Sequence, residues 1–115
     1  MNSNSSKPLI DIVITAHNME SCLGECLQSL AAQTFGDFCA LIVNDGSTDG
    51  TESAARAFAD TDDRFSVVST PGIGAGGARN KGIEEVNAPY FMVLDGDDIF
   101  HPTMLEKLVA AARNG

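Results

Sequence analysis

Three carboxylates, Asp95, Asp97 and Asp98, stand within four residues in the stretch VLDGDDIFHP. Negative charges so close repel one another unless they are solvated or share a cation. Oxygen donors of this kind suit Mg2+ or Mn2+, and such a cation can bridge to diphosphate oxygens and neutralise charge on a leaving group. A D-x-D alone is a weak signal, and the plain alternative is a solvated acidic turn in which Asp98 helps to cap the next helix. A second signature lies upstream in STPGIGAGGARNKG, where Gly72, Gly74 and Gly77 follow the G-x-G-x-x-G spacing of a dinucleotide-binding loop. Under that reading Asp95, at the end of the following strand, would be the acid that holds a ribose.

Both signatures need a scaffold that brings loop ends together. LIDIVITA, FCALIVND, RFSVVST and PYFMVLD are β-rich apolar runs, the pattern of strands buried on both faces. Between them, MESCLGECLQSLAAQT carries Cys22, Leu23, Cys26, Leu27, Leu30 and Ala31 on one helical stripe. GSTDGTESAARAFADTDD supplies turn and cap residues before an Ala-rich helix, and GIGAGGARNKGIEEVNA opens as a glycine loop and continues as a weak helix. A last helix is expected from Pro102, a residue allowed at the first helical position. The order β-α-β-α-β-α-β-α predicts an α/β fold: a Rossmann-like, mostly parallel sheet with helices on both faces. Ligands bind such sheets beyond the carboxyl ends of the strands, where the strand order switches. TAHN, NDGSTD, TPGIGAGG and LDGDD stand at those ends.

At 115 residues the chain suits one domain, and its formal charge of -9, with only seven Lys and Arg, argues against a nucleic-acid surface. A small anionic ligand is still compatible, because helix N-termini or a bound cation can supply positive charge. Cys22, Cys26 and Cys39 form an odd set with no secretory signal and no zinc-like spacing, which points to reduced thiols and a cytoplasmic setting. No apolar run is long enough to span a membrane. Residues 1–7 read as a polar, flexible tail, and 8–115 as the folded part.

DIVITAHNMESCLGECLQSLAAQTFGDFCALIVNDGSTDGT, followed by GGARNKGIEEVNAPYFMVLDGDDIFHP, closely resembles the N-terminal, nucleotide-sugar-binding half of inverting family 2 glycosyltransferases with the GT-A fold. The resemblance runs from about Pro8 to Gly115 and rests on TAHNMES, QTFGDFCALIVNDGSTDGT, GARNKG and LDGDD in the family's order.

The resemblance implies roles for individual residues. Thr15, Ala16 and His17 occupy the end of the first strand, which lines the nucleobase pocket, with His17 in place of the family's Tyr. Glu20 matches an acidic residue that touches the nucleoside or begins the helix. Asp45 is the second of two family Asp residues and reads the base, whereas the first is replaced by Asn44. A carboxylate there can accept the imide N–H of uracil, a donor that cytosine lacks, which favours UDP-sugars. Arg79 faces the nucleotide site or pairs with that site's carboxylates. Asp95 approaches the ribose or the cation, and Asp97 is the principal ligand of Mg2+ or Mn2+.

The activity so implied is transfer of a sugar from a nucleotide-sugar to an acceptor hydroxyl with inversion. The family's catalytic base lies downstream of the D-x-D, so it is expected beyond Gly115, and the chain reads as a truncated domain that binds nucleotide and metal without the acceptor half. Cell-wall and other polysaccharides and lipid-linked acceptors, including at the cytoplasmic face of a membrane, all remain open. An uncovered sheet edge predicts self-association. Two other readings stand beside this one: a Rossmann-type dinucleotide-binding domain and a non-catalytic α/β module.

Overall fold

A computed structural model describes residues 8–114, so the tail expected over residues 1–7 lies outside the described residues. Four strands and four helices alternate: β1 (Ile10–Ala16), α1 (Leu23–Ala31), β2 (Phe38–Asp45), α2 (Thr51–Ala59), β3 (Phe65–Thr70), α3 (Gly74–Glu84), β4 (Tyr90–Asp95) and α4 (Met104–Asn114). All strand pairs are parallel, in the order β3-β2-β1-β4. The chain steps outward from β1 to β3 and then returns to place β4 on the other side of β1. The order therefore switches beside β1, where Thr15 pairs with Asp95 and Ala16 with Asn44.

Alternation along the strands divides the interior in two. Ile10, Ile12 and Ile14 of β1 pack with Leu23, Cys26, Leu27 and Leu30 of α1, Ala55 of α2, and Leu105 and Val109 of α4. Val13 and Val43 face the other way, onto Ala78 of α3. Each fully buried Leu contributes about 1.5–3 kcal/mol, so the first and larger core supplies most of the stability. The second core relies on close approach. A Cβ on Gly82 would overlap the Val13 side chain, so glycine lets α3 lie directly on β1 despite its poor helix propensity.

The strands at the centre of the sheet are largely buried on both faces as expected, but the edge strands are not: only Phe65 is buried in β3, and no residue is buried in β4. The outer edge of β4 is open, leaving Phe91 50% and, from α4 alongside, Leu108 45% exposed. Asp11, the one charge inside β1, accepts the Asn87 and Ala88 N–H groups at 2.6 and 2.9 Å, tying the α3–β4 connection to the sheet. The last helix begins at Met104 rather than Pro102. The Pro102 carbonyl accepts the Thr34 N–H at 2.9 Å, and His101 Nδ1 accepts the Thr103 N–H at 3.2 Å, which holds the first residues in a turn. Among the described residues no helix is long and apolar enough to cross a membrane.

Candidate functional site

The carboxyl ends of β1, β2 and β4 enclose a cleft of about 430 Å3 lined by Thr15, Ala16, His17, Met19, Asp45, Gly72, Gly74, Ala75, Ala78 and Asp95. It lies where the strand order switches, and its volume suits a small ligand. A smaller depression of about 200 Å3 between α3 and the amino halves of β1 and β2 includes Asp11, already engaged in the loop bonds above, and has no comparable convergence of polar groups.

Asp45 is 6% exposed, and its carboxylate ties two of the cleft's walls together. Oδ1 accepts the Thr70 hydroxyl and the Ile73 N–H, both at 2.7 Å, and Oδ2 accepts the Gly74 N–H at 2.9 Å. Ile73 is the N-cap residue of α3 and provides no side-chain cap, so a carboxylate from another strand fills that place. The Thr70 hydroxyl and these backbone donors, outweighing partial burial, hold the Asp45 carboxyl below its ordinary value of 3.8.

His17 is fixed by its contact with the same residue. Its Nδ1 lies 2.6 Å from the Asp45 carbonyl, which can only accept, so Nδ1 carries the proton. Nε2 is then left facing the Asn18 amide nitrogen at 3.4 Å. Asn18, in the left-handed region at φ 52, accepts the Thr48 N–H at 2.8 Å and so joins the loops after β1 and β2.

The acidic turn closes the far side. The Thr15 hydroxyl donates to Asp95 Oδ1 at 3.2 Å, following their pairing across β1 and β4. Asp95, Asp97 and Asp98 are all exposed, and each presents a carboxylate oxygen within 4.8 Å of the others. No salt bridge compensates them among the described residues. Three converging oxygens with no basic partner fit a hard divalent cation. Beneath the turn, burial first and then the nearby acids push the Cys26 thiol up to about 12, so it stays protonated near neutral pH.

Residues 11–115 match glycosyl transferase family 2. The chain belongs to this family. It is 34% identical over 105 residues to the uncharacterized glycosyltransferase EpsJ of Bacillus subtilis, covering 91% of this chain and 30% of that relative. The chain thus spans about 30% of that relative's length. Its fold is the GT-A fold, shared with TarS of S. aureus, crystallised with UDP-GlcNAc, at a TM-score of 0.84 and 25% identity, over 95% of this chain and 32% of that one. It is shared too with the mannosyltransferase PcManGT of Pyrobaculum calidifontis, solved with GDP-Man and Mn2+, at a TM-score of 0.82 and 22% identity, over 91% and 32% of the two chains.

Family membership displaces the dinucleotide-binding alternative, and the geometry supplies a reason. A pyrophosphate-binding glycine loop offers free N–H groups at a helix N-terminus. Here the Ile73 and Gly74 N–H groups already point at Asp45, and the glycine loop follows the edge strand β3 rather than β1.

Of the residues singled out from the sequence, Thr15, Ala16, His17, Asp45 and Asp95 meet in the cleft, and Asp97 stands beside Asp95 in the acidic turn. Two stand apart. Glu20 Oε1 accepts the Gly50 N–H at 3.0 Å, so this carboxylate serves the start of α2. Arg79 is exposed on α3 and makes no ion pair among the described residues. The wall formed by Met19, Ala75 and Ala78 was not legible: Ala75 and Ala78 match an ordinary helix face until α3 is seated over β1, and Met19 lies in the loop before α1, where its N–H donates to Thr51 Oγ1 at 2.8 Å. Gln33 was also missed. It stands in the QT pair after α1, and its buried amide bonds the loop that follows the acidic turn.

Proposed function

We propose that this chain forms the donor-binding part of a glycosyltransferase that transfers a sugar from a nucleotide-sugar, with a UDP-sugar favoured, to an acceptor hydroxyl. The observation that carries the reading is the cleft at the switch in strand order, bordered on one side by three converging carboxylates. The UDP-GlcNAc held by TarS supports the choice of nucleotide, and the Mn2+ in the mannosyltransferase supports the choice of a divalent cation.

Asp97 and Asp95 would hold Mg2+ or Mn2+, which when bound neutralises charge on the departing diphosphate. Thr15 keeps Asp95 turned toward the cleft through its hydroxyl. His17 and Ala16 form the wall for the base, with the His17 ring held edge-on by the Asp45 carbonyl. Since Asp45 already accepts three hydrogen bonds, its remaining acceptor capacity lies on Oδ2, and that oxygen would take the uracil imide N–H. Arg79, which does not line the cleft and is exposed on α3 without an ion pair among the described residues, is the basic group this reading assigns to the diphosphate.

In the transfer itself the acceptor oxygen bonds to the anomeric carbon, the bond to the diphosphate breaks, and the electron pair leaves with the nucleoside diphosphate. Attack opposite the leaving group inverts the centre, and the hydroxyl proton passes to a carboxylate base downstream of the acidic turn. In this reading the full-length protein takes a glycan or a lipid-linked molecule as its acceptor.

Calorimetric titration of the chain with UDP, with and without Mn2+, tests the reading, using Asp97→Ala as the variant and NAD as the control. UDP binding that requires Mn2+ and is lost in Asp97→Ala is the expected result. Binding of NAD regardless of metal, or of neither ligand, would overturn it.

A further inference from the structure

One face of α1 and its extension grips the backbone on both sides of the acidic turn. Cys26, Ser29 and Gln33 recur about one helical turn apart, the spacing that puts them in a single row. The Cys26 thiol donates to the Asp95 carbonyl at 3.7 Å. Ser29 Oγ accepts the Phe100 N–H at 3.1 Å. Gln33 donates to the His101 carbonyl at 2.8 Å and accepts the Leu105 N–H at 3.0 Å. The row therefore meets the chain before the turn, just after it, and at the start of α4.

Two of these side chains are locked before they reach the loop. The Ser29 hydroxyl donates to the Cys26 carbonyl at 2.7 Å, which aims its lone pairs away from the helix. Gln33 uses its second N–H on the Ser29 carbonyl at 3.0 Å, which fixes the orientation of the amide. Cys26 is fully buried and Gln33 is 7% exposed, so water competes little for these bonds. The acidic side chains, by contrast, are all exposed and have no basic partner among the described residues, and their one side-chain hydrogen bond there, from the Thr15 hydroxyl to Asp95, leaves Asp97 and Asp98 to be placed by the backbone of the turn.

We infer that Cys26, Ser29 and Gln33 are positioning residues for the cation site: the row holds the backbone of the turn so that its three carboxylates converge before the cation arrives. The inference rests on reading Asp95 and Asp97 as cation ligands. Preorganisation of this kind is how groups that never touch a metal set its affinity.

The test compares the chain with Cys26→Ala, Cys26→Ser and Ser29→Ala, and with Ala55→Gly as a control that loosens the buried face of α2 without touching the loop. Mn2+ affinity is read from the electron paramagnetic resonance signal of free Mn2+ in the presence of UDP. Cys26→Ala and Ser29→Ala should each weaken Mn2+ by about three- to tenfold, the size of one net hydrogen bond. Cys26→Ser, which keeps a donor, should stay within about twofold, and Ala55→Gly should lower the melting temperature while leaving Mn2+ affinity unchanged. Equal Mn2+ affinity in all four variants would overturn the inference. Amide hydrogen exchange of the metal-free chain separates the two claims. If the wild-type chain binds no Mn2+, the cation reading fails, and the positioning role is judged by whether Ser29→Ala speeds exchange at Asp97 and Asp98 more than Ala55→Gly does. Equal exchange in those two variants overturns it.

Discussion

Replacing Gly46 by alanine tests how the cleft is assembled. Gly46 follows β2 at φ +63, and a Cβ there would stand 2.7 Å from the Gly72 Cα and 2.8 Å from its nitrogen, where ordinary contact begins at 3.4 Å. Holding alanine in the left-handed region costs about 1–2 kcal/mol, and forcing the loops apart adds about 1–3 kcal/mol. Gly46→Ala should therefore lose about 2–5 kcal/mol, a large share of the 5–15 kcal/mol typical of a domain. Relief of the clash requires the Pro71–Gly72 backbone to withdraw by about 0.7 Å, and Gly72 lines the cleft, so UDP affinity should also fall by about tenfold. Urea denaturation gives the first quantity and calorimetric titration of the folded variant the second. Gly46→Asn separates the causes, since asparagine tolerates the backbone angle but keeps the Cβ; it should recover at most about 1 kcal/mol. A Gly46→Ala protein within about 0.5 kcal/mol of wild type would refute the claim that these loops are locked at contact distance.

Asp45→Asn should remove a specific part of the acid sensitivity. Because the folded-state carboxyl lies below 3.8, the unfolded chain binds the extra proton, and the stabilisation present above about pH 4 is lost as pH falls through the lowered value. Urea midpoints from pH 7 down to pH 2 should converge for the two proteins, and a constant gap would count against the Asp45 cap. Asn44→Asp should destabilise by about 1–3 kcal/mol at pH 7, because Asn44 is 3% exposed and its amide donates to Glu52 at 3.4 Å and Ser69 at 3.2 Å. Adding Glu52→Gln should restore most of the loss in thermal melts, and failure of that rescue would exclude carboxylate repulsion as the cause. Gly82→Ala should cost about 1–3 kcal/mol in urea unfolding despite alanine's better helix propensity, through overlap with Val13; a gain in stability would show that α3 can lift off β1 freely.

The element order and the polar strand ends that border the candidate cleft were legible because both depend on local chemistry. Apolar β-rich runs have few alternatives to a buried strand, and FCALIVND gave β2 with its observed ends. Asp95, Asp97 and Asp98 fall within four residues, so the presence of an acidic turn needed no tertiary information, whereas the convergence of its oxygens belongs to the folded chain. What could not be read is the partner that each polar group takes. Glu20 and Asp45 are both acids at the end of a strand or its loop, yet one bonds the start of α2 and the other caps α3 across the sheet. Pro102 has the right φ to begin a helix, and a carbonyl bond to Thr34, sixty-eight residues away, delays it.

The sequence by itself determined that this protein builds a parallel α/β sheet, that an acidic turn closes its last strand, and, through four landmarks in order, the family to which it belongs. Tertiary structure decided that Asp45 caps the glycine loop, that His17 carries its proton on Nδ1, and that α1 grips the acidic turn from below. The division has a physical reason. Strand burial and charge clustering act over a few residues, whereas hydrogen-bond partners are assigned by whichever loop ends the sheet register brings within about 3 Å.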